Sequence, residues 1–170
     1  MKRCVPFIVA LAGLTAFAQD ATLEYRVKAA YLFHFTKFVE WPAAALPENE
    51  ALTLCVAAPN PFDGTLADII EGERVAGRSL AARTVGDVNG CHVLFVPESV
   101  AAEPLLRGAR TRPVLTVGES PDFLRQGGII NFVLEDGKVR FEINQDAATQ
   151  ADLRISSRLL RLARPERSTK

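Results

Sequence analysis

Charge of one sign, histidine, cysteine and long apolar runs are all scarce in this chain, and each shortage closes off a class of function. Twenty basic residues balance 20 acidic ones, a neutrality that argues against nucleic acid as a partner. Two distant histidines, His34 and His92, and three cysteines are too few and too scattered for a metal site. A G-x-S-x-G elbow, a phosphate-cradling glycine loop and a dinucleotide fingerprint are all missing from the sequence. Asp63 and Asp68 read as a helix N-cap and an exposed charge rather than as a paired acid and base. No nucleophile can be matched to a base, so the chain reads as non-enzymatic, with no catalytic residue, cofactor or metal.

The apolar runs are too short to cross a bilayer, which takes about 20 residues. The first of them, Val5 to Phe17, follows Lys2 and Arg3 and leads into Ala16-Phe17-Ala18, the pattern of a secretory leader with an A-x-A cleavage site. Residues 1–18 are therefore expected to be a signal peptide and 19–170 a single domain. Removing Lys2 and Arg3 from the 20 basic residues leaves a net charge of −2. An uncleaved anchor is the alternative. Cys4 goes with the leader, which leaves Cys55 and Cys91, an even pair in an exported chain. They are expected to form a disulfide, with two buried thiols as the other reading.

What is abundant is aromatic weight in one helix, KAAYLFHFTKFVEWP from Lys28 to Pro42. On a 3.6-residue repeat Leu23, Val27, Ala30, Tyr31, His34, Phe35 and Phe38 share a stripe expected to face the core. Tyr25, Leu32 and Phe33 lie off that stripe and call for cover from a loop or a partner. Pro42, which lacks an N–H, is expected to end the helix at Trp41. Both histidines read as hydrogen-bonded packing residues.

Beyond that helix, short apolar strands alternate with helical segments: Leu52 to Ala57, Ser79 to Val85, Cys91 to Val96, Pro113 to Val117. Helices are expected over Thr65 to Ile70, over Glu98 to Arg110, near Ala147, and after Ser156 with Leu159, Leu160 and Leu162 inward. Ile129 to Leu134 and Val139 to Ile143 flank Asp136-Gly137, a two-residue hairpin signal. The fold class is α/β: a mostly parallel central sheet with helices on both faces and a C-terminal antiparallel hairpin at the edge. In a doubly wound order the first and third strands are neighbours, which suits a Cys55–Cys91 bridge, although Cys55 is mid-strand and Cys91 at a strand start. Ligands of such sheets lie beyond the strands' carboxyl ends, here the loops Ala58 to Phe62, Pro97 to Ser99 and Gly118 to Pro121. A periplasmic small-molecule receptor using those loops is thus one functional reading.

A second comes from resemblance. KAAYLFHFTKFVEWP, PFDG, CHVLFVPES, PVLTVGESPDFLRQGGIINFV, KVRFEIN and LRISSRLLRLA, in that order over nearly the whole mature chain, resemble the YfiR family of exported bacterial proteins. The resemblance implies a periplasmic repressor that binds the sensor domain of a YfiN-type inner-membrane diguanylate cyclase, lowering cyclic-di-GMP and biofilm formation. It also implies capture by an OmpA-like outer-membrane protein, a homodimer, and impairment by reducing conditions. Cys55 and Cys91 match a family disulfide. A second bridge known in the family has no counterpart here, where Ile129, Ile130, Asn131 and Phe132 occupy that stretch. Partner-binding positions cluster around the closing hairpin, and the resemblance carries over Phe132 and Glu142.

Overall fold

The computed structural model describes residues 14–165, with side chains from Thr22 onward; most of the expected leader lies outside the described residues. The chain runs as α1 (Leu14–Thr36), β1 (Val39–Glu40), β2 (Leu52–Ala57), α2 (Thr65–Ile70), β3 (Arg74–Val75), β4 (Arg78–Val85) and β5 (Val93–Val96). It continues as α3 (Ala102–Ala109), β6 (Leu115–Gly118), β7 (Ile130–Glu135), β8 (Lys138–Ile143), α4 (Gln145–Gln150), β9 (Arg154–Ile155) and α5 (Ser157–Leu162). No helix among the described residues is long and apolar enough to cross a membrane.

Seven strands form the main sheet in the order β3-β4-β2-β5-β6-β7-β8. From β4 to β7 the pairings are parallel, and antiparallel β3 and β8 close the two edges. Strands β5 and β6 are buried along their whole length, as strands covered on both faces must be. Alternate residues feed two cores. Leu54, Val56, Val93 and Phe95 pack under α1, α2, α4 and α5, while Cys55, Leu94 and Val96 pack under α3 and the Phe123-Leu124 segment. The architecture is the α/β sandwich the strand pattern implies. Its hairpin turns at Asp136 and Gly137, both with positive φ (50° and 70°), the conformation a two-residue type I′ turn requires.

The disulfide joins Cys55 to Cys91, with Cα atoms 5.7 Å apart. The offset noted in the sequence resolves because β5 begins at Val93, not at Cys91. Cys55 pairs with Leu94 across β2–β5, and Cys91 reaches it from the preceding turn.

Four local expectations are corrected. First, α1 buries Lys28, Ala29, Leu32, Phe33, Phe35 and Thr36, whereas Leu23, Val27 and His34 are exposed. The aromatic stripe is thus rotated from the true core face, which admits a lysine because a distant carboxylate meets it. Secondly, α1 ends at Thr36, whose Oγ1 donates to the Phe33 carbonyl. Val39 and Glu40 pair instead with Ile155 and Arg154 of β9, and this tertiary pairing stops the helix before Pro42 can. Thirdly, Asp63 is not a cap: the N-cap of α2 is Gly64, in the left-handed region, with no side-chain hydrogen bond. Fourthly, Leu162 is exposed at 68%, because α5 has already reached its last residue there and only Leu159 of its leucines is fully buried. Ser156 does cap α5, accepting from the Arg158 N–H.

Candidate functional site

The strand order reverses its direction of growth at β2: the chain places β4 on one side of it and then crosses to β5 on the other. At such a switch point the loops after adjacent strands diverge and leave a crevice beyond their carboxyl ends. An open cavity of about 950 Å³ lies there. Its walls include Asn60 after β2, Glu98 after β5, Glu119 after β6, and Tyr25 of α1. The hairpin supplies a further wall, with Asn131, Phe132 and Glu142 among its residues. The three loops singled out in the sequence therefore converge on one cavity, together with both hairpin residues carried over by resemblance.

One wall is a charge network organised by Lys28, which is only 4% exposed. Its ammonium donates to Glu24 one turn earlier and to Glu119 Oε2 at 2.5 Å. Glu119, with 6% of its side chain exposed, also accepts from the Tyr25 hydroxyl at 2.9 Å and from the Glu98 N–H at 3.1 Å. A buried carboxylate needs this many donors to offset its lost hydration. Burial first, and then the Glu119 charge, raise the Tyr25 phenol above its ordinary range, so it stays neutral and remains a donor. Tyr25 rests edge-on to Phe62 at 5.6 Å, and Phe62 is held by the Asn60 side chain accepting its N–H. The loop after β2 is thereby tied to α1.

The opposite wall is unlike this. Asn131 on β7 and Glu142 on β8 face each other directly in the antiparallel register. They are 3% and 7% exposed, yet Asn131 Oδ1 and Glu142 Oε1 have no hydrogen-bond partner. Arg164, whose backbone bridges to Glu142, turns its head to Glu135 at 3.1 Å, an ion pair without hydrogen-bond alignment. Behind this wall Phe132 and Phe141 pack on Tyr31 and Phe35 with ring centroids 5.1–5.9 Å apart. Phe132 is buried, so it fixes the wall's position more than it presents a surface. Leu134, two residues on along β7, is exposed near the hairpin tip.

Neither histidine lines the cavity. His92 is a packing residue: its Nδ1 accepts from the Thr53 N–H and its Nε2 lies 3.2 Å from the Ala45 carbonyl. That pair of contacts selects the neutral tautomer with the proton on Nε2. Among the described residues no three His, Cys, Asp or Glu side chains cluster as metal ligands.

Sequence reasoning did not single out Lys28, Glu119 or Asn131 as site residues. The Glu24–Lys28 spacing of four was visible. Its third member lies 91 residues away, beyond any local pattern.

With this geometry in view, the comparisons decide the family. The family model of YfiR/HmsC-like proteins matches residues 25–164. The chain belongs to the YfiR/HmsC-like family. Its matched span runs from Tyr25 through the last described helix, so the closing hairpin and all of the cavity lining except Glu24 fall within it. A solved structure of a conserved domain protein from Vibrio cholerae is similar with a TM-score of 0.47 and 15% sequence identity. The match covers 72% of this chain and 56% of that one.

Proposed function

We propose that this protein is a periplasmic, non-enzymatic regulator that represses a YfiN-type membrane diguanylate cyclase by binding its periplasmic sensor domain. The observation that carries the reading is the family match across residues 25–164. In support, the hairpin places Glu142 in the cavity and Leu134, an exposed large apolar residue, nearby on β7. Export through the leader at residues 1–18, a homodimer, and capture by an OmpA-like outer-membrane protein belong to the same proposal. The mechanism is a population shift: a repressor acts only through its preference for one sensor conformation, and about 1.4 kcal/mol of preference gives a tenfold bias.

The test is a binding titration between the purified protein and the periplasmic domain of such a cyclase, with cyclic-di-GMP measured in cells lacking the regulator. Saturable binding weakened by Leu134→Asp or Glu142→Ala, with a raised nucleotide level, supports the reading. No binding and an unchanged level refute it. Phe132 is unsuitable for this purpose, because truncating a buried aromatic costs about 3–5 kcal/mol of stability and unfolding would mimic loss of contact.

A second reading, a small-molecule receptor, is favoured by one observation: the switch-point cavity lies in the size range of ligand pockets, about 300–1,000 Å³.

A further inference from the structure

We propose that the switch-point cavity binds a small organic cation, through an ammonium or guanidinium group held by Asn131 Oδ1 and Glu142 Oε1. The proposal rests on reading the cavity as a receptor site. Two features of the walls, independent of each other, lead to it.

The first is the pair of orphaned acceptors. A buried carboxyl or amide oxygen without a donor has lost its hydration with nothing in return, the more so where charge is involved, so native folds rarely keep one without a use. Here two such oxygens come from directly opposed residues of β7 and β8, and both side chains line the same cavity. The third unpartnered atom, Arg164 Nη1, is drawn to Glu135 rather than to either of them, so a ligand that satisfied both would need at least two N–H or O–H groups on one centre. Ammonium and guanidinium groups supply them.

The second is the charge around them. With Arg164, outside the lining, drawn to Glu135, five carboxyl side chains of the lining (Glu24, Glu98, Glu119, Asp122 and Glu142) stand against two cations, Lys28 and Arg125. Both cations are already engaged, Lys28 by Glu24 and Glu119 and Arg125 by Asp122. The cavity therefore carries an uncompensated negative field, strengthened by its low-dielectric walls. A neutral donor would satisfy the hydrogen bonds but not the field, and an anion would meet repulsion. A metal ion would find only two orphaned oxygens, short of the six to eight that calcium takes.

The experiment is titration calorimetry with parallel melting curves on the purified protein, using agmatine and putrescine as probes. Glutarate and pentane-1,5-diol serve as the anionic and neutral counterparts, and an Ala-Arg-Ala peptide represents a protein side chain. One or both amines are expected to bind at a single site and raise the melting temperature. Glu142→Gln should weaken that binding about tenfold, the loss of one charge-assisted hydrogen bond, and raise the melting temperature of the unliganded protein. Asn131→Ala, which keeps the charge, should weaken binding by a smaller factor and carries the test should Glu142→Gln not fold.

Binding of the amines with unchanged affinity in the variants would overturn the assignment. Binding of glutarate or the diol alone would overturn the cation while leaving the receptor reading standing, and binding of the peptide alone would overturn the small-molecule source. Flat curves with every probe would dismiss both.

Discussion

Replacing Lys28 with methionine isolates the energetics of the cavity's structured wall. Methionine keeps most of the aliphatic stem, so packing on α1 changes little and the lost quantity is the charge. Glu24 is a quarter exposed and can turn to water, so its share of the pair is small. Glu119 cannot do so, being 6% exposed. It would keep two hydrogen bonds, from Tyr25 and the Glu98 N–H, but lose its only ion-pair partner among the described residues. Removing one member of a buried pair costs about 3–5 kcal/mol, and the two surviving donors place Lys28→Met at the lower end, about 3 kcal/mol. For a domain of this length that is a fall of about 6–12 °C in the melting midpoint. Urea unfolding followed by the fluorescence of Trp41, the single tryptophan, would measure it, because Trp41 is half-buried and donates to the His92 carbonyl. The double variant Lys28→Met with Glu119→Gln should recover at least about 1 kcal/mol relative to the sum of the single changes. A cost below about 1 kcal/mol for Lys28→Met, or strict additivity, would show that the network is solvated and contributes little.

Three further outcomes are expected. Cys55→Ser, or dithiothreitol on the wild type, should lower stability by about 4 kcal/mol, the chain-entropy value for a bridge spanning 36 residues; an unchanged urea midpoint would mean the bond does not form. Gly128→Ala would place a methyl carbon 2.2 Å from ring carbons of Phe123, itself fully buried, and should destabilise by about 1–3 kcal/mol. The control Gly86→Ala, with nothing within 4 Å, should be near neutral, and equal midpoints for the two would refute the packing argument. Tyr25 has its phenol raised in the fold, so the neutral form contributes stability in full below its ordinary value of about 10, lost as pH climbs beyond it. Tyr25→Phe should therefore be less stable at pH 7 yet lose less between about pH 9.5 and 11.5, as read from urea midpoints across that window.

Most strands, the adjacency of β2 and β5 and the edge hairpin were legible, while β1, β3 and the full strand order were not. LTLCVA and CHVLFV are apolar but for Thr53 and His92, as doubly covered strands are, and Asp136-Gly137 allows little besides a hairpin. The face of α1 was not legible. Its aromatic residues draw a stripe through Tyr31 and Phe38, yet the helix turns Lys28 inward because Glu119, from the far side of the chain, offsets the desolvation. The end of α1 was misplaced for the same reason, since β9 outcompetes the local helical preference. The cavity was half legible. Its loops follow from strand order alone, whereas the unmatched acceptors at Asn131 and Glu142 emerge only once β7 and β8 are in register. Resemblance carried over Phe132 and Glu142 together, but only the packed structure separates a ring that braces the wall from a carboxyl group of the cavity lining.

The small β1–β9 sheet ties the segment just after α1 to one near the end of the described chain, and the rings that cover α1, Phe132 and Phe141, come from the last third as well. A nascent polypeptide made from its amino end therefore carries α1 without its lid for most of synthesis. Contacts so distant in sequence also close slowly. That interval leaves Leu32, Phe33 and Phe35 open to chaperones, and it favours holding the chain unfolded until the final strands have emerged.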